Sequence, residues 1–227
     1  MIAIILAAGR GTRMAPLTDD LPKPMLIVLG KNIIEWKLEA LPKEVNEIIM
    51  IIGYKKEIIE NYFGNSWRGI SIKYVEQEKL NGTGGAIALC EEHVKDKALV
   101  LMGDDIYNKE DLEKLCNYNN AILVLDEGEA GFVKKAQVIE KDGLLLGLNE
   151  GQSQTGIKSS LINTGAYVIS REYFKYPLVN VSETEFGLPN TLAQVAKDIP
   201  VNVVKANWWI QITTPDCVER AKKLLLP

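Results

Sequence analysis

The chain contains 227 residues, of which 47% are hydrophobic and 25% charged, and its formal net charge is -4 at pH 7. These proportions are typical of a globular domain and exclude a disordered, collagen-like or coiled-coil protein. A mildly acidic chain also lacks the basic face that binding to a nucleic-acid backbone requires. No apolar run approaches the roughly 20 residues of a membrane span, and the short run Ile2–Ala8 does not fit a secretory signal. We therefore expect a cytoplasmic protein without a membrane or nucleic-acid partner.

Short apolar runs alternate with helical patterns through the first half of the chain. The predicted strands are Ile2–Leu6, Glu47–Ile52, Ile70–Val75, Ala98–Met102 and Ala121–Leu125. The predicted helices are Asn32–Leu41, Lys55–Tyr62, Thr83–Val94 and Glu110–Cys116. Repeated strand–helix–strand units at this spacing predict an α/β fold, with a mostly parallel sheet and helices on both faces.

The second half of the chain is less regular. Ala136–Glu140 and Leu144–Asn149 flank an Asp-Gly pair, which predicts a β-hairpin. A strand over Leu161–Ile169 and helices over Pro189–Lys197 and Pro215–Leu225 follow. We expect this half to add antiparallel strands beside the parallel sheet. No linker or repeat separates the two halves, so residues 1–227 are predicted to form a single domain whose halves meet near residue 125.

The loop after the first predicted strand is the most informative segment. Glycines at positions 9 and 11 let the backbone approach a ligand and turn N–H groups toward it, as a phosphate-binding concavity requires. Residues 1–18 contain Arg10 and Arg13 but no carboxylate, which indicates a polyanion such as a triphosphate. A tight turn with two solvated arginines is the simple alternative. A dinucleotide-binding loop would need a third glycine where Met14 stands.

The stretch LAAGRGTRM, continuing through PLT to LPKPML, resembles the signature of the sugar-1-phosphate nucleotidylyltransferases, and further matches extend to Trp209–Pro215. The resemblance implies the nucleotide-diphospho-sugar transferase fold, a Rossmann-like doubly wound sheet, in a short single-domain form with a nucleotide-binding and a sugar-binding half. It implies transfer of a nucleotidyl group from a nucleoside triphosphate to a sugar-1-phosphate, with release of pyrophosphate. By similarity, Arg13 holds the departing pyrophosphate and Lys23 contacts the reacting phosphate. The residues implied to wrap the triphosphate are Leu6, Ala7, Ala8, Gly9, Gly11 and Thr12.

A second glycine-rich segment, Glu76–Ala86, opens the third predicted helix. A helix N-terminus with several glycines leaves room for a nucleotide against the backbone. A glutamine amide both donates and accepts hydrogen bonds, which suits the edge of uracil or thymine. The segment is similar to the family's Q-x-x-x-x-G-T-G, and this similarity implies that Gln77, Gly82 and Thr83 bind the nucleotide and that UTP or dTTP is the donor. An N-cap loop with incidental glycines is the alternative.

Carboxylates follow the apolar strand that ends at Met102. Ligands of open α/β sheets bind at the carboxyl ends of strands, and Mg²⁺ prefers one or two carboxylates together with phosphate oxygens. The similarity to the family's G-D implies Asp104 as the Mg²⁺ ligand, whereas Asp105 is expected to turn away because successive strand residues point to opposite sides. A plain Asp-Asp turn is the alternative.

The second metal ligand is the point where the chain departs from the family pattern. Gln211 stands at the aspartate of the family's W-x-D-x-G-T-P, and Thr213 stands at its glycine. A glutamine oxygen can coordinate Mg²⁺, but a neutral ligand lowers the negative charge of the site. We therefore expect weaker metal binding, or an ion held mainly by Asp104 and the triphosphate.

Sugar contacts are expected mainly from the second half of the chain. Carboxylate and amide groups are natural partners of sugar hydroxyls, and the resemblance implies a sugar site built from Gly103, Glu150 and Asn163. Gly151 stands where many relatives have lysine, and Ala136 stands near an expected glycine. The sugar site is thus expected to be altered, and the sugar is not assigned. Glu185 either contacts a hydroxyl or begins a helix.

Three other functions stay open at this point. A small cytidylyltransferase would use another phosphorylated acceptor such as phosphocholine. A catalytically weak nucleotide-binding or regulatory module is suggested by Gln211, and a Rossmann oxidoreductase is disfavoured by the missing third glycine. The cysteines lie far apart without a C-x-x-C pair and predict neither a disulfide framework nor a metal site. The choice between monomer and dimer is left undecided.

Overall fold

The fold is built on a ten-stranded mixed sheet. A computed structural model describes residues 1–127, 136–149 and 159–225. Its strands are β1 Ile2–Leu6, β2 Ile27–Val28, β3 Lys31–Asn32, β4 Glu47–Ile52, β5 Ser66–Trp67, β6 Ile70–Glu76, β7 Lys97–Met102, β8 Asp105–Tyr107, β9 Ala121–Asp126, β10 Gln137–Lys141, β11 Leu144–Asn149, β12 Leu161–Ser170, β13 Val179–Asn180, β14 Phe186–Gly187, β15 Asn202–Lys205 and β16 Trp209–Gln211. Its helices are α1 Ile33–Ala40, α2 Lys56–Phe63, α3 Gly82–Ala88, α4 Lys109–Leu115, α5 Leu188–Val195 and α6 Pro215–Leu225.

The order of the strands creates a crevice at the carboxyl ends of the central strands. The order is β10-β11-β15-β9-β12-β7-β1-β4-β6-β5, and the four neighbours β7, β1, β4 and β6 run parallel. The chain moves from β1 outward to β6 and then returns to the other side of β1 as β7. Strand order therefore reverses between β1 and β7, and in open α/β sheets this switch point is where ligands bind.

The core packs on both faces of the sheet. In β1, Ala3 and Ile5 join the cluster that contains the apolar residues of α1, α2 and α4. Ile2 and Ile4 point to the opposite face and join the cluster that contains those of α3 and α5. Because both faces are covered, the central strands are apolar at successive positions rather than at alternate ones. The predicted fold class, a mostly parallel sheet with helices on both faces, is confirmed.

The antiparallel additions of the second half are also confirmed, because β12 runs antiparallel to β7 and to β9. The predicted hairpin is formed by β10 and β11. Asp142 and Gly143 at its turn have φ values of 54° and 76°, and positive φ at both central residues is the mark of a type I′ turn.

Some boundaries differ from those predicted. The helix predicted over Thr83–Val94 ends at Ala88 and is followed by turns. The short strands β15 and β16 were not predicted from the sequence. No helix within residues 1–127, 136–149 and 159–225 has both the length and the apolar composition needed to cross a membrane.

Candidate active site

A cavity of about 540 Å³ opens at the carboxyl ends of β1 and β7, at the point where strand order reverses. Most of the site residues predicted from the sequence line it: Leu6, Ala7, Ala8, Gly9, Gly11, Arg13, Lys23, Gln77, Gly82, Thr83, Gly103 and Asp104. Thr12, Asn163 and Gln211 are not among the residues that line this cavity. Glu150 lies outside the described residues.

The second half of the chain closes the far wall of the cavity. Val181, Glu185, Phe186 and Asn190 lie there, opposite the ends of β1 and β7. Glu185 is the member of this set for which the sequence suggested a ligand contact. The others carry no motif, and only the packing of the segment before α5 against α3 brings them to the cavity.

An ion pair lies in the lining of the cavity. Lys23 pairs with the Asp104 carboxylate, and the two side chains are 7% and 23% exposed. Lys23 belongs to a 3-10 turn over Lys23–Met25, and Asp104 follows β7. Arg13 lies in another 3-10 turn, Thr12–Met14, which is anchored by the fully buried Met14. The exposed Arg13 and the Lys23–Asp104 pair thus face one cavity.

The donor set fits a divalent cation that is shared with a phosphate ligand. Asp104 is a carboxylate that lines the cavity, and Mg²⁺ needs only one or two carboxylates when phosphate oxygens complete its coordination. Within the described part of the chain, His, Cys, Asp and Glu side chains nowhere form a group of three that could hold a metal by itself. The residues present therefore favour an ion that arrives with a nucleotide.

Gln211 lies close to Asp104 through its backbone. In the antiparallel pair β8–β16, Gln211 is opposite Asp105, and the Ile212 N–H donates to the Asp104 carbonyl oxygen at 3.0 Å. Gln211 itself lines a separate cavity of about 250 Å³ together with Trp209 and Cys217. The backbone therefore brings the predicted second ligand beside Asp104 without placing it in the lining of the main cavity.

An acidic and a basic side chain, Asp105 and Lys37, lie buried behind the site. Asp105 is 2% exposed, and its burial, with the neighbouring Asp104, raises the pKa of this carboxyl well above its ordinary range. Burial lowers the pKa of Lys37 to about 7, although Asp105 and Asp104 oppose that shift. Asp105 is buried and is not among the residues that line the cavity, which agrees with the expectation that it turns away from a ligand there. Sequence reasoning missed Lys37, whose only signal is a lysine on the apolar face of α1.

The glycine-rich loop before α3 holds the glutamine that the sequence assigned to the base. The Gln77 Nε2 group donates to the Gly82 carbonyl oxygen and to Asn81 Oδ1, each at 3.1 Å. The backbone carbonyl fixes the orientation of the amide, because a carbonyl oxygen can only accept. Gln77 therefore presents its Oε1 atom as the group left for a ligand in this cavity.

The same loop is tied to the second half of the chain. Phe186 donates its N–H to the Asn81 carbonyl oxygen at 2.9 Å, and Leu188 donates its N–H to Thr83 Oγ1 at 2.9 Å. Gly82 has a φ of 85°, and a Cβ at this position would meet the Phe186 carbonyl oxygen at 2.4 Å. The close approach of the two segments thus depends on glycine.

Asn163 uses its side chain to hold an irregular part of β12. Its Nδ2 group donates to the Tyr167 hydroxyl at 2.8 Å, and its Oδ1 accepts from the Gly165 N–H at 3.0 Å. The register of β12 against β9 shifts between Asn163 and Tyr167. These contacts account for Asn163 within the strand, and its predicted contact with a sugar stays a prediction.

The cysteines differ in exposure. Cys90 and Cys116 are buried free thiols, and burial raises the pKa of each to about 12. At Cys217, partial burial also raises the pKa, but hydrogen bonds with the Thr213 and Thr214 groups outweigh it and lower the pKa to about 7.

Comparison with known proteins agrees with this geometry. Residues 2–124 match the family described as nucleotidyl transferase. The bifunctional protein GlmU of Methanocaldococcus jannaschii is 34% identical over 234 residues, which cover 100% of this chain and 54% of GlmU. The D-glycero-alpha-D-manno-heptose 1-phosphate guanylyltransferase of Campylobacter jejuni is 36% identical over 177 residues, which cover 77% of this chain and 78% of that protein.

A solved structure of UDP-glucose pyrophosphorylase complexed with UDP-glucose shares the fold, with a TM-score of 0.80, 20% sequence identity, and coverage of 99% of this chain and 98% of that chain. The switch-point cavity and its glycine-rich loops define a Rossmann-like nucleotide-binding protein. Within that class, the chain belongs to the nucleotidyl transferase family, among the sugar-1-phosphate nucleotidyltransferases. It spans about half the length of the GlmU relatives that it matches.

Proposed function

We propose that the protein transfers a nucleotidyl group from UTP or dTTP to a sugar-1-phosphate in the presence of Mg²⁺, giving a nucleoside-diphosphate sugar and pyrophosphate. The observation that carries this proposal is the cavity at the strand switch point, where Arg13 and the Lys23–Asp104 pair face the same space as Gln77. The relatives named above include enzymes of this reaction type.

The reaction is an in-line displacement at phosphorus. An oxygen of the sugar-1-phosphate attacks the α-phosphorus of the triphosphate, and the bond from the α-phosphorus to the oxygen that bridges it to the β-phosphorus breaks, so that pyrophosphate leaves with that oxygen. Little covalent work falls to the protein, so catalysis is mainly positioning and neutralisation of charge. A bound Mg²⁺ would neutralise phosphate charge, with Asp104 as its protein ligand.

The two basic residues have different tasks in this proposal. The buried Lys23 supplies a compact positive charge in the lining of the cavity, where the reacting phosphate would lie. The exposed Arg13 offers a planar fork of donors to the oxygens of the departing pyrophosphate. Lys23 pairs with Asp104 in the structure, and its ammonium would lie beside both the metal ligand and a phosphate bound in the cavity.

The orientation of Gln77 supports a base that carries a ring N–H. Its Nε2 group is engaged by Gly82 and Asn81, which leaves Oε1 as an acceptor. N3 of uracil and of thymine is a donor, whereas N3 of cytosine is an acceptor and would leave two acceptors facing each other. This observation favours UTP or dTTP over CTP and counts against the phosphocholine cytidylyltransferase alternative. Guanine also has a ring N–H, so the choice against GTP rests on the family resemblance.

Pyrophosphate release tests the proposal directly. The protein is incubated with Mg²⁺, each of five nucleoside triphosphates and a panel of sugar-1-phosphates, with phosphocholine as an additional acceptor. Release that requires both a sugar-1-phosphate and UTP or dTTP is the expected result. Release with CTP and phosphocholine, or release specific to GTP, would contradict it.

A measurement of triphosphate binding distinguishes a catalytically weak nucleotide-binding module from an enzyme. Triphosphate binding without release across the whole panel would favour the nucleotide-binding module, and Gln211→Asp then tests whether the family's acidic ligand restores turnover. Absence of triphosphate binding would reject the nucleotide assignment itself. A nicotinamide cofactor titrated by fluorescence is expected not to bind. The cytoplasmic location stays a prediction from the sequence.

A further inference from the structure

Lys37 is a lysine buried in the protein interior directly behind the proposed phosphate and metal site. Its Nζ group donates to the carbonyl oxygens of Gly103 at 2.9 Å and of Ile33 at 3.3 Å, and its exposed fraction is 0%. Ordering a long basic side chain in a core costs conformational entropy and desolvation energy. A buried lysine on the apolar face of a helix therefore calls for a specific reason.

The Gly103 peptide is the contact that links Lys37 to the site. Gly103 follows β7 directly and precedes Asp104, which lines the cavity. The backbone of Gly103 also lies against the end of β1, because a Cβ built there would meet the Leu6 carbonyl oxygen at 2.3 Å. The peptide is thus fixed from two sides, by the end of β1 and by the Lys37 amine.

The charges around Lys37 point to the same role. Asp105 and Asp104 act electrostatically on Lys37, with Asp105 the stronger of the two. Asp105 is buried, its Oδ1 atom has no hydrogen-bond partner among the described residues, and the positive charge of Lys37 acts against the rise of the Asp105 pKa. Asp104 pairs with Lys23 instead. Each of the two consecutive aspartates therefore interacts with a lysine, Asp104 through a direct ion pair with Lys23 and Asp105 through the nearby charge of Lys37.

We propose that Lys37 is a positioning residue for the nucleotidyl transfer. It holds the Gly103 carbonyl, and through it the backbone that leads into Asp104 and Asp105, so that Asp104 is presented to the cavity beside Lys23. The inference rests on the proposed function. Lys37 does not line the cavity, and it acts on the substrate only through the segment that it holds.

Lys37→Met tests this role, because methionine keeps most of the length and bulk of lysine without the amine. We expect kcat to fall roughly 100-fold, as it does when a reacting group is misplaced by about 1 Å, while KM for UTP stays close to that of the wild type. The Mg²⁺ concentration for half-maximal turnover is expected to rise roughly tenfold, the usual effect of losing a group that orients a metal ligand.

Lys97→Met is the matched control, because Lys97 makes the same kind of contact at the opposite end of β7. Its Nζ group donates to the carbonyl oxygens of Cys116 at 2.8 Å and Tyr118 at 3.0 Å. This variant is expected to lower Tm but to leave kcat and the Mg²⁺ dependence unchanged. Equal losses of kcat in the two variants would overturn the inference, because both would then report general destabilisation.

A double variant separates positioning from charge balance. Lys37→Met leaves the buried Asp105 carboxyl without the neighbouring cation that favours its ionised form, and adding Asp105→Asn replaces that carboxyl with a neutral amide. The double variant is expected to recover Tm toward the wild-type value while kcat stays low, because the Gly103 carbonyl still lacks its donor. Recovery of both Tm and kcat would overturn the positioning role and leave only charge neutralisation.

Hydrogen exchange provides a measurement that does not depend on activity. Amides in a peptide covering residues 102–106 are expected to exchange faster in Lys37→Met than in the wild type or in Lys97→Met. Unchanged exchange there would overturn the inference. Calorimetric titration is expected to show that Lys37→Met binds UTP alone as the wild type does but needs a higher Mg²⁺ concentration to reach the same gain in UTP affinity. A wild-type protein that neither binds UTP nor releases pyrophosphate would instead reject the proposed function.

Discussion

Arg13 is the exposed cation that the first loop presents to the cavity, and its contribution can be measured at the scale of a single residue. We expect Arg13→Ala to lower kcat/KM by a factor that corresponds to a loss of about 2–4 kcal/mol of transition-state stabilisation, as removal of other oriented donors does. Steady-state pyrophosphate release gives the value.

Arg10→Ala is the control for Arg13, since Arg10 lies in the same loop but stacks over the Tyr54 ring at 5.9 Å instead of lining the cavity. Its effect on kcat/KM is expected to be much smaller. Near-normal turnover of Arg13→Ala would remove Arg13 from the assigned machinery.

Gly82 permits the close approach of the glycine-rich loop before α3 to the segment before α5. Gly82→Ala combines a strained φ of 85° with a contact to the Phe186 carbonyl oxygen. Gly69 has a φ of 87° and open space around it, so Gly69→Ala measures the backbone strain alone. We expect Gly69→Ala to cost about 1–2 kcal/mol and Gly82→Ala to cost a further 1–3 kcal/mol or so from the steric contact. Urea denaturation compares the two, and equal costs would contradict the close approach.

At the scale of elements, helix α1 carries Lys37 and so contacts Gly103 behind the cavity. Its N-cap Asn32 accepts from the Glu35 N–H at 2.9 Å, and the Glu35 carboxylate accepts from the Asn32 N–H at 2.8 Å, a complete capping box. We expect Asn32→Ala to lower the free energy of unfolding by about 1 kcal/mol. The exposed Asn65, which bonds Ile72 through its backbone carbonyl, is the control, and Asn65→Ala should change stability by less than about 0.5 kcal/mol. Equal losses would argue against the cap.

The central elements could be predicted because their signals are local. The apolar runs of β1, β4 and β7 reflect burial on both faces of the sheet, and the Asp-Gly pair encodes its own turn. The end of α3 at Ala88 could not be predicted, because the apolar pattern continues beyond it into turns that still pack inside.

The candidate site likewise has a part that could be predicted from the sequence and a part that could not. The loops that line its cavity could be predicted because closely spaced glycines, basic residues and strand-end carboxylates are visible in the sequence itself. The role of Lys37 and the wall formed by Phe186 and Asn190 depend on contacts between segments far apart in the chain. A lysine in an apolar helical face has no local feature that reveals which carbonyl it will meet.

At the scale of the whole molecule, the two halves share one sheet. β12 from the second half lies between β7 and β9 of the first half, so removing the second half would expose the facing edges of both strands. The predicted single domain should therefore unfold in one cooperative transition. The four tryptophans allow a test of each half, because Trp36 and Trp67 lie in the first half and Trp208 and Trp209 in the second.

Two double variants each keep the tryptophans of one half. Trp208→Phe with Trp209→Phe leaves the probes of the first half, and Trp36→Phe with Trp67→Phe leaves those of the second. For each variant, we expect the fluorescence transition in urea to coincide with the transition that far-UV circular dichroism shows for the same variant. Circular dichroism follows the whole chain, so it corrects for any change in stability caused by the substitutions themselves. A fragment of residues 1–126 should show no cooperative transition, because β7 and β9 lose the strand that joins them. A fluorescence midpoint separated from the circular dichroism midpoint, or a cooperative fragment, would instead mean that the first half of the chain folds by itself and that the second half docks onto it.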